Sequence, residues 1–225
     1  MILDKFNLNE EKLNKLQSFM NLVLEKNKVM NLTAIVDENE FYEKHFFDSL
    51  LPILKVNFDN KTILDVGSGA GFPGIPLAIC FPKSKFVLIE PILKRCKFLE
   101  EVIASLKLDN VEILNKRAEE CVDYMRECAD IVVSRAVSSF NILLELCIPF
   151  LKINGYGVFY KGLKYQDEIN EACNALKELN SKIDLIQNEK LPLSNEDRFN
   201  IIVMKLKETN KKFPRNFSQI KKRPL

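Results

Sequence analysis

The sequence predicts an α/β chain. Its core is a central, mostly parallel seven-stranded sheet with an antiparallel terminal hairpin, flanked by helices and preceded by an N-terminal helical extension. Three observations carry this. Between Thr62 and Lys161 short β-branched and apolar runs alternate with amphipathic segments, the pattern of parallel strands joined by crossover helices. The first run opens into a stretch where Gly67, Gly69, Gly71 and Gly74, four of the seven glycines, fall within eight residues. The last two runs follow one another with no helix between them, so they should pair antiparallel.

Taken in order, residues 9–25 repeat apolar side chains at Leu13, Leu16, Met20, Val23 and Leu24, predicting an amphipathic helix capped by Asn9. A loop follows over Asn31 to Ile35. Asp37 and Glu40 resemble a capping box opening a helix through Phe41, His45, Phe46 and Leu50, which Pro52 ends. His45 and Asp48 share roughly one face of it, a spacing that suits an acid/base pair or a structural hydrogen bond.

The strands are expected at Thr62 to Val66, Lys85 to Glu90, Val111 to Leu114, Ala129 to Ser134, Tyr156 to Lys161, Ile183 to Asn188 and Phe199 to Leu206. Helices are expected at Ile75 to Phe81, Leu93 to Leu106, Ala118 to Met125, Phe140 to Leu151 and Asp167 to Leu179. Pro73 and Pro76 mark the start of the first of these, so its amide dipoles aim back toward the glycine loop. The expected division is a helical extension over 1–56, a main domain over 57–207 and a basic tail over 208–225, together one domain.

At 225 residues and 47% hydrophobic content the chain can bury a full core. It opens without an apolar signal segment and nowhere reaches 18 uninterrupted apolar residues, so a cytoplasmic protein with no membrane contact is expected. Six cysteines without a C-x-x-C pair and a single histidine suggest reduced thiols and no metal site. A monomer is the default.

The net charge of +2 is unevenly distributed, because residues 205–225 hold eight lysines and arginines against Glu208 alone. Clustered cations displace counterions from phosphates, so Lys211, Lys212, Arg215, Lys221, Lys222 and Arg223 are candidate nucleic-acid contacts. Phe213, Pro214 and Phe217 interrupt them with groups able to pack or stack. A solvated tail is the other reading.

The glycine stretch reads as a cofactor cradle, since a backbone without Cβ atoms can bring its amides against a ligand. Asp65 stands inside the first strand, giving D-x-G-x-G-x-G, and Glu90 ends the second strand 25 residues later, where a carboxylate can accept both ribose hydroxyls. Gly69-x-Gly71-x-x-Gly74 also satisfies a dinucleotide pattern, so an NAD-dependent oxidoreductase stays open; the acid-and-glycine arrangement favours S-adenosylmethionine.

This order of elements resembles the Rossmann-like fold of class I S-adenosylmethionine-dependent methyltransferases. Within that class the segments Asn31 to Ile35, HFFDSL from His45, DVGSGAGFPGIPLAI, Arg117-Ala118-Glu119, Ser134-Arg135-Ala136, Tyr160-Lys161-Gly162 and the ending FPRNFSQIKKRPL look like one family, over Leu13 to Leu225. It is the bacterial small-subunit (16S) ribosomal RNA guanine-N7 methyltransferases, the glucose-inhibited division protein B family. Phe213 stands where a tyrosine is more familiar.

The resemblance implies cofactor-binding positions at Gly67, Phe72, Ala118, Glu119 and Arg135, beside the loop's own Gly69 and Gly71 and the ribose acid Glu90. It implies 16S ribosomal RNA or the small ribosomal subunit as partner. Ser134-Arg135-Ala136-Val137 stands where exocyclic-amine methyltransferases carry an Asn/Asp-Pro-Pro-aromatic motif, and neither Cys128 nor Cys147 lies in a nucleophile's context. Guanine N7 has an in-plane lone pair and needs no base. Arg135, Lys161 and Arg198 are then the candidates to hold the guanine or neighbouring phosphates, with Arg117 nearby. A non-catalytic RNA-binding protein with a degenerate cofactor pocket is the remaining alternative.

Overall fold

The computed structural model describes residues 2–135 and 138–225; Ala136 and Val137 of the fourth-strand motif lie outside them. Asn9 accepts a hydrogen bond from the Lys12 N–H and starts α1 (Glu10–Met30), whose Leu16, Phe19, Met20 and Val23 are buried. Asp37 likewise accepts from the Glu40 N–H to start α2 (Glu38–Phe41).

The single helix expected from there to Pro52 is not uniform. A π-helical turn over Tyr42–Phe47 intervenes before α3 (Asp48–Leu50) and a 3-10 turn (Leu51–Leu54). Widening one turn re-aims every following side chain. Here it buries Phe46 and Phe47 and turns Lys44, His45 and Asp48 toward the sheet. The buried Glu43 accepts from the N–H groups of Leu193 and Ser194 and ties the terminal hairpin to this turn.

The sheet comprises β1 (Thr62–Val66), β2 (Lys85–Ile89), β3 (Val111–Leu114), β4 (Ala129–Arg135), β5 (Leu151–Lys161), β6 (Ser181–Lys190) and β7 (Asp197–Lys205), in the order β3-β2-β1-β4-β5-β7-β6. The first five strands run parallel, and β7 is antiparallel to both β5 and β6. That reversed strand departs from a plain dinucleotide-binding sheet. Strand order changes direction between β1 and β4, which opens a crevice beyond their carboxyl ends where ligands of such sheets bind.

The interleaved helices are α4 (Gly74–Cys80), α5 (Leu93–Leu106), α6 (Ala118–Met125), α7 (Phe140–Cys147), α8 (Tyr165–Glu171) and α9 (Cys173–Glu178). One core, with Phe19, Phe46, Phe72, Phe86 and Phe98, fills the face under α1, α4 and α5; the other, with Phe140, Phe150, Phe159 and Ile201, fills the face under α6, α7 and α9.

Three boundaries differ from expectation. The helix expected to reach Leu151 stops at Cys147, where a 3-10 turn containing Pro149 hands the chain to β5, already paired at Leu151 with Ala129. Asp167 to Leu179 is two helices rather than one. The basic tail folds: Asn216 caps α10 (Phe217–Lys222), and Phe213 and Ile220 are buried in the second core. Lys205, counted with the tail's cations, is fully buried, donating to Glu127 and to the carbonyls of Ile148 and Leu151.

Candidate active site

The cradle is built at the tips of β1 and β2. Beyond Val66 the N–H of Gly67 donates to the Ile89 carbonyl at 2.8 Å, strapping the loop to the end of β2. Asp65 is fully buried, and its Oδ2 accepts from the Gly74 N–H at 2.9 Å, so one carboxylate fixes both the loop and the start of α4. Position 74 must be glycine because a Cβ there would collide with Leu88 and come within 2.6 Å of that same oxygen. Burial pushes Asp65 up to about 7, against the downward pull of the hydrogen bonds from Gly74 and Ser68.

Glu90 lies just past β2, is 2% exposed, and accepts from the Gly69 N–H at 2.9 Å and the Ile92 N–H at 2.8 Å, one on each oxygen. Each oxygen retains a second lone pair. Its own N–H donates to the Leu114 carbonyl, so the tip of β3 adjoins it, and after β3 come the buried Ala118 and half-buried Glu119 at the start of α6. Gly67, Gly69, Glu90, Ala118 and Glu119 thus gather at neighbouring strand tips, whereas Gly71 turns to the core, where a Cβ would crowd Ile75, Leu99 and Phe19, and Phe72 is buried against Phe19, Phe41, Phe46 and His45. A Cβ at Gly69 would meet no atom nearer than 3.9 Å, so the loop is open on that side. An open glycine turn and a carboxylate with spare acceptors fit S-adenosylmethionine.

Arg135, at the end of β4, is caged. Its Nη1 donates to Asp48 Oδ2 at 3.0 Å and to the Lys44 carbonyl at 3.1 Å, and its Nη2 donates to His45 Nδ1 at 3.1 Å. The guanidinium lies 5.2 Å from the centre of the Phe72 ring, on which His45 stacks at 4.3 Å. Because Nη2 can only donate, Nδ1 is the acceptor, and the imidazole N–H sits on Nε2, 2.8 Å from Thr33 Oγ1. Burial and the nearby Arg135 charge lower His45 to about 3. His45 and Asp48 both serve Arg135 rather than each other. The sequence gives no sign of this beyond their shared spacing, since the π turn that aims them is invisible in it.

Asp48, Arg135, Ser138, Tyr160, Lys161, Gly162, Glu168 and Arg198 line a cavity of about 470 Å³ at the carboxyl ends of β4 and β5 and the start of β7. The three candidates for holding the base therefore converge on one space. Lys161 Nζ donates to Glu168 at 2.6 Å and to the Ser138 carbonyl at 2.9 Å, and the same Glu168 oxygen accepts from the Phe140 N–H at the start of α7. Arg198 bonds to Glu196 at 2.8 Å and to the Asp197 carbonyl. Burial raises Asp48, opposed by Arg135 and Arg198, and burial also holds the Tyr160 phenol protonated while it donates to the Ser49 carbonyl. Nothing local in the sequence marks Glu168, which lies on a polar helix that carries no motif.

The candidate RNA contacts divide. Arg117 is exposed at the start of α6, its guanidinium 5.6 Å from the Phe217 ring of α10, and Lys211, Lys221, Lys222 and Arg223 are exposed. Lys212 pairs with Glu178 at 3.3 Å, and Arg215 grips the fully buried Glu145 through Nε at 2.8 Å and Nη2 at 2.5 Å.

Among solved structures, an S-adenosylmethionine-dependent methyltransferase of Aquifex aeolicus superposes with a TM-score of 0.58 at 18% identity, covering 80% of this chain and 97% of that one. TrmN of Thermus thermophilus gives 0.56 at 14% identity, covering 71% and 48%. Proteins named ribosomal RNA small subunit methyltransferase G are far nearer in sequence. That of Fusobacterium nucleatum is 44% identical over 221 residues (98% of this chain, 95% of the relative), and that of Clostridium kluyveri is 42% identical over 231 residues (97% and 93%). The family model GidB, described as rRNA small subunit methyltransferase G, matches residues 12–190. With the cradle, the sheet order and near full-length identity in agreement, the chain is an S-adenosylmethionine-dependent methyltransferase and belongs to the rRNA small subunit methyltransferase G family.

Proposed function

We propose that this protein, acting as a cytoplasmic monomer, methylates N7 of a guanine in the 16S ribosomal RNA of the small subunit by in-line transfer without a general base. Family membership supports a ribosomal RNA substrate. The observation that carries the choice of atom is the chemistry of the cavity beside the cradle. His45 stays neutral and faces Arg135 and Thr33, Asp48 and Glu168 are engaged with cations, and Tyr160 stays protonated. Among the described residues of these walls both carboxylates are ion-paired and no free neutral base faces the cavity, and an aromatic nitrogen with a free lone pair does not require one.

Held by the glycine loop and Glu90, S-adenosylmethionine would supply a sulfonium methyl carbon to the N7 lone pair, the electrons of its C–S bond leaving with sulfur, so that no proton need leave the base. The chain's part is positioning, which is worth up to about 7–11 kcal/mol of the barrier, and placing charge around a base that becomes cationic. Arg135 is held rigid by its cage, and its remaining N–H groups suit guanine O6 while leaving N7 free. Lys161 and Arg198 would hold the base or a flanking phosphate. Arg117 and the exposed basic residues of the tail would track the RNA backbone.

Mapping N7-methylguanosine in ribosomal RNA from cells with and without this protein tests the reading. One 16S guanine should lose its methyl group when the protein is absent; identical maps would overturn it.

A further inference from the structure

We propose that Asp48 selects the target base, its carboxylate accepting hydrogen bonds from the N1–H and N2–H groups of guanine. This rests on the function proposed above and goes beyond it, because adenine carries the same N7 atom and in-line chemistry alone does not tell the two purines apart.

Asp48 is 5% exposed and forms part of the cavity wall. Its Oδ2 is occupied by Arg135 at 3.0 Å. Its Oδ1 is buried without a hydrogen-bond partner among the described residues, and Arg198 Nε stands 3.7 Å away, too far for a hydrogen bond. A buried carboxylate oxygen without a donor is costly, and such an atom in a ligand cavity points to a donor that a ligand brings. The cations on the same wall, Arg135, Lys161 and Arg198, have only donors to offer.

Guanine matches this distribution. Its N1–H and N2–H groups donate along one edge, and O6 accepts next to them, on the side where Arg135 is already bound to Asp48. N7 lies across the ring from N1 and N2, so binding that edge leaves N7 unblocked. Adenine would set its N1 lone pair against the carboxylate. The carboxylate also gains as the reaction proceeds, since the N7-methylated base is a cation whose N1–H becomes a stronger donor, an interaction larger in the transition state than in the ground state.

The test compares small subunits carrying guanosine at the mapped target position with subunits carrying inosine there, which lacks only the N2 amine. The parental protein should methylate inosine about ten- to hundredfold more slowly in kcat/KM, the effect of losing one hydrogen bond to a charged group. In Asp48→Asn the amide oxygen would keep Arg135 and turn its NH2 toward the base, so guanosine methylation should fall by a similar factor and the guanosine-to-inosine ratio should approach one. Equal parental rates on both substrates would overturn the proposal, as would an unchanged ratio in Asp48→Asn. Should that variant fail to fold by thermal unfolding, the parental comparison decides alone. Failure of the parental protein to form N7-methylguanosine on guanosine subunits would sink the proposed function instead, a distinguishable outcome.

Discussion

Arg135 is held by three partners about 90 residues away in sequence, and the most unusual of them electrically is the neutral His45. An imidazole that must stay uncharged makes stability depend on pH with a definite sign. The folded value is about 3 and the unfolded value about 6.5, so between these limits the unfolded chain takes up a proton that the folded protein refuses. Stability from His45 is complete above pH 6.5 and is lost as pH falls toward 3, by about 1.4 kcal/mol per unit within the window. Asp65 acts oppositely: its folded value near 7 exceeds its unfolded value, so its contribution falls as pH rises from about 4 to 7. The two slopes mask each other in the parental protein. Urea unfolding of parental and His45→Gln proteins between pH 6.5 and 4.5 separates them, because only the parental protein loses the imidazole's share; parallel curves would mean that His45 takes up its proton in the fold as readily as in the unfolded chain.

At the scale of elements, what the sequence made legible and what it hid follow from the range of the interactions involved. The strands, the glycine loop and Glu90 were readable because period, turn chemistry and a carboxylate at a strand tip are local facts. The π turn and the folding of the tail were not, since each depends on a surface supplied by distant chain. Phe213 and Ile220 are single apolar residues among cations until the second core buries them. The strap from Phe213 to α10 is pinned by the Arg126 guanidinium on the Phe213 carbonyl and by Arg215 on Glu145. Glu145 is fully buried, so Arg215→Ala leaves an uncompensated charge and should cost about 3–5 kcal/mol in denaturant unfolding. Arg215→Lys should recover only part of that, because an ammonium cannot reproduce the two-pronged contact. A loss below about 1 kcal/mol for the alanine variant would show that the tail is not fastened there.

Across the whole molecule, the strap changes what the basic tail can do. A chain of net charge +2 gains little long-range attraction for RNA, so affinity rests on where its cations stand. Folding buries Lys205 against Glu127, pairs Arg215 with the buried Glu145 and Lys212 with Glu178 at the surface, and carries Lys221, Lys222 and Arg223 on or beside a helix whose Phe217 meets Arg117, at the start of α6 next to the cofactor-cradle tips. Cations fixed beside the crevice would bind the RNA backbone in register with the reacting base, whereas a loose tail would bind it anywhere. Each phosphate neutralised contributes about 0.7–0.9 to the slope of log affinity against log salt. Replacing Lys221, Lys222 and Arg223 together by glutamine should therefore shallow that slope by about 2–3 for the small subunit, while calorimetry should show S-adenosylmethionine affinity unchanged. A slope equal to the parental one would remove α10 from the RNA path and leave Arg117 and the cavity's own cations to hold the substrate.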